Sequence, residues 1–158
     1  MYLGRIPTGA PAAAASADNG HWKFPEQMGG QHVGFVYLIR DHVLERFYLG
    51  KKLYKGMGRI NKGQESNWKK YTSSSKVLNE LIKVRPREEF DFVCLEQYKT
   101  KGTLSYSESW SLHFVEAPTS SQWYNRLIEK VSWNVREKIT DRHKSRLIRA
   151  VAWESFDE

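Results

Sequence analysis

Apolar residues alternate or run together in short stretches through the middle of the chain, and the period then lengthens. Gly34-Phe35-Val36-Tyr37 and Tyr48-Leu49-Gly50-Lys51-Lys52 are separated by ten residues, with a polar stretch around Arg40-Asp41-His42 between them. β-branched, aromatic and aliphatic residues bounded by polar turn formers predict two strands, from about 33 to 40 and from about 45 to 53. A loop over 41–44 would set Arg40 opposite Glu45 and Tyr37 opposite Tyr48. The two phenols would then share one face, with Cβ atoms roughly 5 Å apart. Ser73 or Ser74 can cap a helix running to about Val84, with Val77, Leu78, Leu81 and Ile82 as its apolar stripe, and Pro86 ends it. Phe90 to Tyr98 predicts a third strand, with Phe90, Phe92 and Cys94 facing one way and Val93, Leu95 and Gln97 the other. A second helix is expected from about Thr103 to Val115, stopping before Pro118. Val135, Ile139, Leu147, Ile148 and Val151 suggest a final basic helix with a break near Thr140-Asp141.

Strands one and two carry apolar residues on both faces, so helices should cover both sides of the sheet. The expected class is therefore α+β: a small three-stranded antiparallel sheet flanked by helices, with a basic C-terminal helical extension over 129–158. Residues 1–31 are rich in Ala, Gly, Pro and Ser and show no amphipathic period, so a disordered or loosely packed segment is expected there. At 158 residues the chain suits one domain with a real core.

Charge changes the picture more than size does. The formal net charge is +7 and the isoelectric point is about 9.5, which favours an anionic partner. Between Lys51 and Arg87 eleven basic residues face two acidic ones, Glu65 and Glu80. A second cluster comprises Arg136, Lys138, Arg142, Lys144, Arg146 and Arg149. Tyr54, Trp68, Tyr71, Trp133 and Trp153 interleave with both, a mixture that suits nucleic acid better than a membrane surface. Lys52, Lys69, Lys70, Lys76, Arg136, Arg142 and Arg146 are the candidate phosphate contacts. Cys94, the single cysteine, lies in an apolar run and reads as a small core residue. No Ser-His-Asp arrangement, phosphate-binding glycine loop or zinc motif is present. No stretch has the roughly 20 apolar residues a membrane span requires, and the N-terminus lacks the order of a signal peptide, so an intracellular location is expected.

Two tyrosine-bearing strands followed by glycine and lysines would place phenols beside cations, as a phosphate-handling site could use. The spacing resembles the GIY-YIG nuclease family, whose signature is two tripeptides about ten residues apart on a β-hairpin. Gly34-Phe35-Val36-Tyr37 is an imperfect version of the first, and Tyr48-Leu49-Gly50 matches the second. Arg59 lies near the place of the family's arginine. Trp68 to Leu78 looks like the segment preceding the first helix of small phage-encoded members, Glu108 matches the metal-binding glutamate, and Asn125 matches the closing asparagine. The resemblance covers roughly residues 33–128. Many members carry histidine or tyrosine four residues after the arginine, where this chain has Gly63.

The resemblance implies an endonuclease that hydrolyses DNA with one divalent ion, Mg²⁺ or Mn²⁺. In that reading Tyr37, helped by Tyr48, is a general base or positioner of the attacking water. Lys51 or Lys52 lowers its pKa, Arg59 neutralises the reacting phosphate, Glu108 binds the metal, and Asn125 holds the geometry. Leu104, Glu108 and Leu112 share one helix face, and a carboxylate there is costly unless it is paired or binds a cation. Ser105 to Glu108 also fits a capping box, a structural alternative. Duplex DNA is the expected partner; a non-catalytic DNA-binding module on the same fold is the rival reading, and an RNA-binding protein a weaker third.

Overall fold

The computed structural model describes residues 17–158. Three strands, β1 (Gly34–Asp41), β2 (Arg46–Leu53) and β3 (Phe90–Tyr98), form one antiparallel sheet in the order β2-β1-β3. Three α-helices complete it: α1 (Lys76–Val84), α2 (Lys101–Phe114) and α3 (Asp141–Val151). All eight residues of β1 are buried, as its central position between two strands and two covering layers requires. One face carries Val36, Leu38, Leu49, Val93 and Leu95, packed under Leu104 and Leu112 of α2 and Leu147 and Ala150 of α3. The other carries Phe35, Tyr37, Ile39, Phe92 and Cys94, covered by Leu78 and Ile82 of α1 and by Trp22, Phe24 and Trp68. The expected α+β class with helices on both faces is what forms.

The hairpin register differs from the expected one by two positions. Tyr37 stands opposite Gly50, and Ile39 opposite Tyr48. The cause is Asp41: its Oδ1 accepts from the backbone N–H of Val43 and Leu44, which closes the turn after Asp41 and extends β1 by one residue. Burial pushes this carboxyl up, yet hydrogen bonds from Arg85, Leu44 and Tyr124 hold its pKa at about 2. A two-residue shift preserves faces, because side chains alternate with period two. Tyr37 and Tyr48 therefore still share a face, diagonally, with ring centroids 6.2 Å apart.

A second irregularity lies in β3. The β1–β3 register shifts between Val36 and Tyr37, pairing Tyr37 with Cys94 but Val36 with Glu96. Leu95 is thus the extra residue of a β-bulge, which reverses the alternation beyond it. Gln97 consequently faces Tyr54, whose hydroxyl it accepts at 2.6 Å, rather than sharing the Leu95 face as strict alternation implies.

The N-terminal segment is packed from Asn19 onward, correcting the expectation of a loose stretch to residue 31; residues 1–16 lie outside the described part. Lys23 N–H donates to Phe92 O, and Cys94 N–H donates to Lys23 O, so a short parallel bridge covers the open edge of β3. Trp22, Phe24 and Met28 are buried. Composition hides this, because three anchors in an otherwise Gly- and polar-rich stretch carry no period. Trp22→Ala is expected to destabilise the fold by about 3–5 kcal/mol in urea denaturation. A change below about 0.5 kcal/mol would show the segment to be dispensable.

The C-terminal part also differs from an appended helix. Residues 129–140 run irregularly across the start of α2, where the Glu137 carboxylate accepts from the backbone N–H of Lys99 and Thr100. Helix α3 starts at Asp141, capped by the Thr140 hydroxyl, and Leu147 and Ala150 join the core. Arg146 is buried: its guanidinium donates to Cys94 O and Lys23 O and pairs with Glu158 at 3.0 Å. Arg142 is held by Glu96 at 2.7 Å and by Glu26 at 3.0 Å. These two arginines clamp α3 to β3 and to the N-terminal segment, and the burial of Arg146 corrects its assignment as a phosphate contact. Arg146→Ala is expected to cost about 3 kcal/mol of stability, since Glu158 and two carbonyls lose their partner. Thermal melting checks this, and a melting temperature equal to the parent's would contradict it.

Candidate active site

Strand β2 is an edge strand, and the site forms along it. Side chains alternate there: Tyr48, Gly50 and Lys52 project to the Tyr37 face, while Lys51 projects toward α2. At this edge both sets reach one cleft of about 330 Å³, lined among others by Tyr37, Tyr48, Gly50, Lys51, Lys52 and Glu108. Gly50 is required by contact: a Cβ there would lie 2.5 Å from the Tyr37 hydroxyl oxygen. The glycine of the second tripeptide thus makes room for the tyrosine of the first.

Tyr37 is only 1% exposed. Burial pushes its phenol pKa well above the usual value, and neighbouring Tyr48, Tyr71 and Glu108 push it further. Tyr48 is raised too, first by burial and then by Glu108. The expectation that Lys51 or Lys52 depresses these values is corrected. The Lys51 ammonium is taken by Glu108 at 3.0 Å and Glu129 at 2.9 Å, and Lys52 Nζ lies over the Tyr71 ring, 4.0 Å from its centroid. At neutral pH both phenols are protonated and can donate hydrogen bonds.

Glu108 sits on the third turn of α2. Thr100 is the N-cap of that helix, its hydroxyl accepting from Thr103 N–H, so the capping-box alternative for Ser105 to Glu108 is excluded. The carboxylate is buried apart from its cleft side, and burial raises its pKa against the opposing pull of Lys51. Asn125 is buried and holds β2: its Nδ2 donates to Leu49 O at 2.8 Å, and its Oδ1 accepts from Leu49 N–H at 3.0 Å. With the Phe47 N–H to Gln122 O and Tyr124 N–H to Phe47 O bonds, the 122–125 segment pairs with the free edge of β2. It fixes the backbone between Tyr48 and Gly50.

Arg59 does not join this cleft. It is exposed in a turn beyond β2, and the cations lining the cleft are Lys51 and Lys52. Gly63, where the family pattern has histidine or tyrosine, lies in the same excursion with φ 81°. Tyr71 fills the cleft instead, stacking edge-on to Tyr37 and sharing a hydrogen bond with Ser74. Tyr71 and Ser74 belong to the Trp68–Leu78 segment that the sequence pattern singled out. Glu129 gave no such signal, because it follows Ile128 in a stretch without periodicity. Lys69 pairs with Asp18 at 2.8 Å, whereas Lys70, Lys76 and Arg136 are exposed on the surface.

A family model described as "Putative endonuclease segE, GIY-YIG domain" matches residues 19–128. That span is more than half of the chain and holds the three-stranded sheet, both tripeptides, Glu108 and Asn125. The chain belongs to the GIY-YIG endonuclease family. The match begins at residue 19, where the packed N-terminal segment begins, so the Trp22 anchor is part of the GIY-YIG domain. Searches of curated proteins and of solved structures gave no match.

The donor set can be tested against the divalent ion that GIY-YIG nucleases generally use. Among the described residues no three His, Cys, Asp or Glu side chains converge. Glu108 offers one carboxylate to the cleft, with Glu129 across Lys51. This fits a hard cation that keeps several waters and takes remaining ligands from substrate phosphate, as Mg²⁺ does.

Proposed function

We propose that this GIY-YIG domain hydrolyses phosphodiester bonds of double-stranded DNA in a reaction dependent on Mg²⁺ or Mn²⁺, as a small phage-encoded or homing-type enzyme. The observation carrying this reading is the convergence of Tyr37, Tyr48, Lys51, Lys52 and Glu108 on one edge-strand cleft. Glu108 would hold the ion, which when bound supplies Lewis-acid stabilisation of the developing charge. The chain's own residues do the rest. The Tyr37 and Tyr48 hydroxyls, protonated by burial, donate to a water or to a phosphate oxygen and orient it. Lys52 faces the same side and neutralises phosphate charge. Lys51 keeps Glu108 ionised and oriented, and Asn125 fixes the strand between the two working side chains. Lys70 and Lys76, both exposed, bind backbone phosphates; each contact adds roughly 0.9 to the salt slope.

Duplex DNA and duplex RNA of one sequence, offered separately with Mg²⁺, test the substrate. Cleavage of DNA alone is expected. Equal cleavage of RNA would overturn the assignment, and tight DNA binding without cleavage in any divalent ion would favour the non-catalytic module.

A further inference from the structure

Residues 54–66 form an ordered hairpin that leaves the end of β2 and contributes nothing to either core beyond Tyr54. Its scaffold is dense: Gly56 N–H donates to Gln64 O, Gly63 N–H to Gly56 O, and Ser66 N–H to Tyr54 O. Asn61 Oδ1 accepts from Gly58 N–H at 3.0 Å. At its tip stands Ile60, 94% exposed, more than any other large apolar side chain among the described residues; Met57 nearby is 47% exposed. An isolated surface isoleucine needs no explanation. One presented on a hydrogen-bonded tip between Arg59 and Lys62 is a different arrangement. From Lys51 to Lys62 there are five cations and no acidic residue. The hairpin also adjoins the cleft, since Lys52 and Leu53 line both that cleft and the groove at the hairpin's base.

We infer that this hairpin is a DNA wedge: Ile60 inserts between adjacent base pairs of the bound duplex while Arg59 and Lys62 meet the flanking phosphates. The inference rests on the nuclease reading of the neighbouring cleft. Charge selects the occupant, because an apolar tip with Arg59 and Lys62 beside it, and the hairpin's one acid, Glu65, at its base, complements a stacked, polyanionic helix. Isoleucine and methionine are residue types that partially unstack a base step and kink the duplex. The kink would bring a phosphate of the strand beyond it toward Lys52 and the tyrosines. It also gives Arg59 a role at the place where it stands.

The test is the end-to-end distance of a short duplex labelled at both ends for energy transfer, measured with uncleaving Glu108→Gln protein. Binding is expected to raise transfer, and the Glu108→Gln/Ile60→Ser protein to bind without raising it, with Ile60→Leu restoring the effect. With Glu108 intact, Ile60→Ser should cut an intact duplex roughly tenfold more slowly or worse, yet cut a bulged, pre-kinked duplex within about threefold of the parent. Equal energy transfer by the two Glu108→Gln proteins, or parent-like cutting of intact duplex by Ile60→Ser, would overturn the wedge. Should the parent cut neither duplex, the nuclease reading falls, while the energy-transfer comparison still decides the wedge.

Discussion

Replacing Glu108 by Gln is expected to lower DNA cleavage roughly 10³-fold or more, because it removes the half-buried carboxylate that faces the cleft and that we propose as the metal ligand. The fold should survive. Glutamine has the same shape, and Lys51 keeps Glu129 as its partner. DNA affinity should survive too, since lysine and arginine contacts to phosphates dominate binding. Single-turnover cleavage and filter binding on the same preparation separate these effects. Loss of binding in parallel with cleavage would mean that Glu108 is structural.

Tyr37→Phe is the second large effect, roughly a 10²-fold fall in turnover with thermal stability unchanged or slightly higher. Only a buried hydroxyl leaves, and its neighbours can close over the ring. The pH dependence discriminates the roles. Burial holds Tyr37 protonated far above neutral pH, so as a donor it contributes equally from pH 6 to 9. The variant should then be slower by one factor throughout, without losing a rising limb of the profile. A general base would instead make the parent's rate climb with pH in a way that the variant lacks. On the acid side, activity should fall as Glu108 protonates. Burial raises its pKa in the metal-free protein against the pull of Lys51, and a bound ion opposes that rise.

Much of this arrangement was legible in the sequence because it rests on short-range pattern. The three strands followed from alternation of aromatic and β-branched residues, and β3 spans Phe90–Tyr98 as expected. Glu108 stood out because a carboxylate between Leu104 and Leu112 contradicts the apolar face it occupies. What failed was set by side chains acting at a distance. Asp41 ties off the hairpin turn and moves the register by two positions; a buried aspartate bound to Arg85 at 2.6 Å reads in sequence as an ordinary polar turn residue. Leu95 bulges without any glycine to mark it. Arg142 and Arg146 looked like a cationic surface, and only the tertiary fold reveals Glu96, Glu26 and Glu158 as their partners. Glu129 meets Lys51 across 78 positions, a separation over which spacing carries no information. The tyrosine pKa values failed for a related reason. Adjacent lysines suggested depression, but desolvation of a residue under Trp22 and Tyr71 outweighs cations whose charge is already engaged.

That the β2 cleft cuts DNA with a divalent ion is open to direct measurement. Supercoiled plasmid incubated with the purified chain in Mg²⁺, in EDTA, and with Glu108→Gln in Mg²⁺ tests it most directly. Nicked or linear product is expected in the first sample and in neither of the others. Product that persists in EDTA, or that Glu108→Gln forms at the parent's rate, would contradict the account.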